Sequence, residues 1–117
     1  MKLMNFPIQD VTRYCALAYS ANGSLSAEHV FTIVAELRSG ICKLLVRPGW
    51  TAMIAADDHS YVHEMLSDMR SRLSDDRSSL FQQLSSLSVG PLITYSAGGG
   101  VQHDPQIAMM LLEFVEA

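Results

Sequence analysis

The sequence predicts an α+β domain: a small, mostly antiparallel sheet, formed by a hairpin over 41–56 and a strand over 92–95, covered by about five helices. Three observations lead there. Apolar side chains recur at helical spacing through much of the chain, two dense apolar runs flank a Pro-Gly turn, and the elements do not alternate strictly between strand and helix. No repeat or linker divides the 117 residues, so a single domain over 1–117 is expected.

The first segment, 7–21, reads in two ways. Ile8, Val11, Cys15 and Ala18 fall at helical spacing, with Pro7 suited to a first helical position and Asn22-Gly23 to a stop. Val11, Cys15, Leu17 and Tyr19 also share one side of a strand, with Arg13 as the offender. The helical reading is preferred. The second segment reads as a helix outright: Ser26 as cap, Glu28 as early acid, Val30, Ile33, Val34 and Leu37 as one apolar stripe, then Arg38 and Gly40 at its end.

Ile41 to Val46 and Trp50 to Ala56 read as strands apolar on both faces, joined by Arg47-Pro48-Gly49. Proline followed by glycine suits the central positions of a type II turn, whose third residue needs positive φ. Asp57-Asp58 then starts a helix with Val62, Met65, Leu66, Met69 and Leu73 on its buried face. A further helix is expected beyond Ser74, on Leu80, Phe81, Leu84 and Leu87. After Gly90-Pro91 comes the strand Leu92-Ile93-Thr94-Tyr95, and after it a glycine-rich loop, Ser96 to Gly100. Asp104-Pro105 opens a last helix with Ile107, Met110, Leu111 and Phe114 on one side and Met109 and Leu112 on the other. A helix without a polar face is either sandwiched within the fold or shared with a second chain.

Composition narrows the function. Apolar residues make up 49% of the chain and charged residues 17%, which leaves apolar surface for a partner. Eight Lys and Arg stand against twelve Asp and Glu, for a net charge of −4. The basic residues are scattered, and those at Arg70, Arg72 and Arg77 are interleaved with Asp68, Asp75 and Asp76, so no nucleic-acid partner is expected. No apolar run has the length of a signal peptide or a membrane span, and Cys15 and Cys42 read as buried thiols in a reducing compartment. A cytoplasmic protein with no membrane partner is expected.

Candidate sites are few. His59 and His63, four apart on a helix, point the same way and form a potential metal pair, although a third ligand is needed. Tyr95, Ser96, Gly98, His103 and Asp104 could border a small-molecule pocket at the glycine-rich loop, where backbone N–H groups are accessible. That loop matches no phosphate-binding pattern and holds no basic residue. No nucleophile elbow or coherent catalytic set occurs, and no cofactor is implied. Trp50 beside its turn, with Met109, Met110 and Leu112 on the last helix, suits an interface. The expectation is therefore a non-enzymatic interaction or regulatory domain, a homodimer or the partner of another protein. The alternative is a small-molecule-binding domain or small enzyme with its pocket near 96–100.

Overall fold

In the computed structural model, residues 8–19, 29–73, 88–89, 92–97 and 105–116 are described, with 88–89 and 92–97 as backbone alone. The sheet is built on three strands, β1 (Val11–Tyr19), β2 (Val30–Leu37) and β3 (Cys42–Val46), paired antiparallel in that order. Beyond β1 lie β5 (Leu92–Ala97) and then the two-residue strand β4 (Ser88–Val89). Beyond β3 lies β6 (Val115–Glu116), so that the six strands run β4-β5-β1-β2-β3-β6, every neighbouring pair antiparallel.

An α+β fold with an antiparallel sheet is thus observed, but its centre is made of segments that read as helices. The helix preferred over 7–21 is replaced by a short 3-10 turn, Ile8–Asp10, followed by β1. The helix expected after Ser26 is replaced by β2, whose first six residues are all buried. Among the described residues the α-helices number two rather than about five: α1 (His59–Leu73) and α2 (Pro105–Glu113). The helix expected beyond Ser74, with Leu80, Phe81, Leu84 and Leu87, lies outside the described residues.

Among the described residues, each face of the sheet is covered by one helix. On the α1 face, Cys15, Leu17, Tyr19, Phe31, Val34, Leu44 and Val46 pack against Val62, Leu66 and Met69. On the α2 face, Tyr14, Ala16, Ala18, Val30, Ile33, Ala35 and Leu45 pack against Ile107, Met110, Leu111 and Phe114. Two-sided burial explains why β1 and β2 are apolar on both faces except at one end, where Thr12, Arg13 and Glu36 lie, and at Thr32, since a strand alternates with solvent only when one of its faces is wet. Buried among these side chains, the Thr32 hydroxyl is satisfied by donating to the Leu45 carbonyl at 2.8 Å.

Two irregularities shift the phase of these strands. Val11 pairs with Leu37 but Arg13 with Glu36, which makes Thr12 an extra residue. Likewise Leu17 pairs with Thr32 but Ala18 with Val30, so Phe31 is extra on β2. The first bulge places Val11 on the same face as Tyr14, and the second places Val30 on the same face as Ile33. At the outer end of the first, the Arg13 guanidinium grips Glu36 with two hydrogen bonds of 2.7 and 2.9 Å.

The hairpin expected over 41–56 is half right. Its first strand is β3, and the turn behaves as read: Trp50 N–H bonds to the Arg47 carbonyl at 3.1 Å and Gly49 takes φ +72. The second strand is absent. Residues 50–58 instead form two 3-10 turns, Trp50–Ala52 and Ala56–Asp58, that lead into α1. Only Ile54 is fully buried between them, and a run so poor in buried side chains gains nothing from joining a covered sheet.

Candidate functional site

Two regions bring together residues singled out from the sequence: the corner where 50–58 meets α1, and the outer side of α2. At the corner, Trp50 is half-buried, its ring 6.3 Å from Phe31 and edge-on to His63 at 4.8 Å. His59 Nε2 lies 2.8 Å from both the Thr51 and the Ile54 carbonyl oxygens. Carbonyls only accept, so that nitrogen carries the hydrogen and shares it between them. In the neutral ring the lone pair then sits on Nδ1. Among the described residues no group of three or more His, Cys, Asp or Glu is placed to hold a metal ion. Through Nε2, His59 braces the turn, and the His63 ring packs roughly perpendicular to the indole.

Tyr19 pins the same corner from the sheet. Its hydroxyl donates to Asp58 Oδ2 at 2.7 Å and accepts from the Ala55 N–H at 3.3 Å. This contact, unread from sequence, ties the end of β1 to the start of α1. The hydrogen bond to Asp58 raises the hydroxyl above the ordinary tyrosine value, and desolvation adds to the effect. Both cysteines are buried and free, and burial pushes the Cys15 thiol from 9.0 up to about 11.

These two shifts share a sign. A group whose folded value is raised lends stability that is complete below its unfolded value and is lost as pH rises through the folded one. For Cys15 the window runs from 9.0 to about 11, a loss of roughly 2–3 kcal/mol at 1.36 kcal/mol per unit. Tyr19 adds to the loss at the upper end of that window. Urea titrations at stepped pH should show the fall, and Cys15→Ala should flatten it most. An unchanged slope in that variant would remove Cys15 as its source.

The outer side of α2 has a different character. Ile107, Met110 and Leu111 face the sheet, whereas Met109 and Leu112, three residues apart and hence neighbours on the helix, are each 61% exposed. The other large exposed apolar residues among those described, Ile41 and Tyr61, are covered more, at 45% and 41%. Met110, expected at an interface, is 9% exposed and belongs to the α2-face core cluster. Trp50 is also part of the packing, resting on the α1-face cluster.

Of the residues expected at a small-molecule pocket, Tyr95 and Ser96 belong to the backbone of β5. Gly98, His103 and Asp104 lie outside the described residues. The side chains of this expected pocket thus lie outside what the structure describes. The structure does expose Arg47 as a structural residue that sequence reading missed. Its guanidinium sits 5.0 Å above the Phe114 ring while Nε donates to the Val30 carbonyl at 2.8 Å. No helix among the described residues is long and apolar enough to cross a membrane. Comparison with protein-family models, with curated proteins and with solved structures finds no match to this chain.

Proposed function

We propose that the chain is a small interaction domain that pairs with a second copy of itself through the outer side of α2. The observation that carries this reading is the exposed pair Met109 and Leu112 on a helix whose opposite side is already committed to the sheet. Charge favours a copy of the same chain over a charged partner. A two-fold contact sets every residue near its own image, and α2 carries one charged side chain, Glu113, in its nine residues. Little like-charge repulsion is then met on pairing.

Two side chains are far less than the roughly 800 Å² per partner of a standard interface. The association is accordingly expected to be weak, with a dissociation constant on the order of 10 μM or above. Sedimentation equilibrium across about 1–500 μM tests it. Wild-type chain should shift toward dimer with concentration, while Met109→Glu and Leu112→Glu should stay monomeric. Because both positions are exposed, each variant should lose only about 0.5 kcal/mol of stability. A wild-type monomer throughout that range would remove the proposal.

A further inference from the structure

Methionine chemistry on α2 supports one step beyond this reading, and the step rests on it. We propose that Met109 is an oxidation switch, at which a hydroperoxide converts the thioether to the sulfoxide and turns self-association off. The α2 sequence sets two methionines side by side with opposite fates: Met109 is 61% exposed and Met110 is 9% exposed. Met69 is buried under α1, and Met53 and Met65 are partly covered by the α1-face cluster. Among the described methionines, Met109 thus offers a peroxide the most open sulfur.

The reaction balances without help from the protein. A sulfur lone pair attacks the terminal peroxide oxygen, the O–O bond breaks and an S–O bond forms. The proton of that oxygen passes to the departing alkoxide, giving an alcohol, or water from hydrogen peroxide. Sulfur is oxidised by two electrons and the peroxide reduced by two. The competing thiols, Cys15 and Cys42, are both buried and so shielded from the peroxide. The product is a polar group at the centre of the exposed apolar pair, where it opposes the burial on which the contact depends.

The test treats the full chain with hydrogen peroxide, maps oxygen addition at each methionine by mass spectrometry of peptides, and repeats the sedimentation measurement. Met109 should gain oxygen about tenfold faster than Met110 or Met69, and association should weaken about tenfold as it does. Met109→Leu removes the sulfur and keeps an apolar side chain, so this variant should associate with and without peroxide. Equal oxidation of Met109 and Met110 overturns the site. Peroxide that dissociates Met109→Leu as readily as wild type overturns the switch. A wild type that is monomeric before treatment overturns the pairing itself, and the oxidation map then reads the site separately.

Discussion

Phe114→Ala is expected to cost about 3–5 kcal/mol, a large share of the stability of a domain of this size. Phe114 is fully buried and follows α2 directly, its N–H closing the helix on the Met110 carbonyl at 2.8 Å. It fills the α2 face beside Ile107 and Leu111, and the guanidinium of Arg47 lies over its ring. Truncation leaves a cavity at the point where α2 hands over to β6. Among the described residues that short strand pairs with Leu45 and Val46, with a Lys43–Glu116 ion pair at 3.2 Å beside them. Phe114→Leu keeps most of the volume and should cost about 1–2 kcal/mol. Urea unfolding of the two variants separates cavity from ring. A cost below about 1 kcal/mol for the alanine would mean that α2 is anchored elsewhere.

How much of this was legible in the sequence follows from the two bulges. On β2, Val30, Ile33, Val34 and Leu37 stand at helical spacing, which is why the segment reads as a helix. In the fold, Val30 and Ile33 do share a face, but the extra residue Phe31 puts them there, and Val34 lies on the other side. On β1 the bulge at Thr12 does the same for Val11 and Tyr14. A bulge inserts one residue into a period of two and so produces the spacing of three that a helix would show. The composition Val-Phe-Thr-Ile-Val, rich in β-branched and aromatic residues, was the better guide.

Where the strands were regular or the helix had a wet side, pattern was enough. α1 keeps Val62, Leu66 and Met69 inward as its spacing indicates, and α2 divides its residues into the two sides read from sequence. Spacing sets Met110 with Ile107, Leu111 and Phe114 but does not reveal which side faces the sheet, so the expected interface drew on both sides, Met110 from one and Met109 and Leu112 from the other. The corner of Tyr19, Asp58 and Ala55 was beyond reach for another reason. Its partners are 36 and 39 residues apart in the chain, and only the pairing of strands brings them together.

Phe31→Ala carries an expected loss of similar size, about 3–5 kcal/mol, together with a local signature. As the extra residue of its bulge, Phe31 interrupts the ladder between β1 and β2, and what offsets that interruption is its ring, fully buried on the α1 face. The ring also supports Trp50 at 6.3 Å, which the His63 and His59 rings flank at 4.8 and 6.4 Å. Trp50 is the one tryptophan of the chain, so its emission reports this corner without added probes. Removing the Phe31 ring should let the indole tilt toward water, shifting its emission to longer wavelength in the native baseline, before any global unfolding. Phe114→Ala, on the opposite face, should lower stability with little change in that baseline. If instead both variants shift the native emission alike, the two faces do not pack independently around the sheet, and the assignment of Trp50 to the α1 side alone fails.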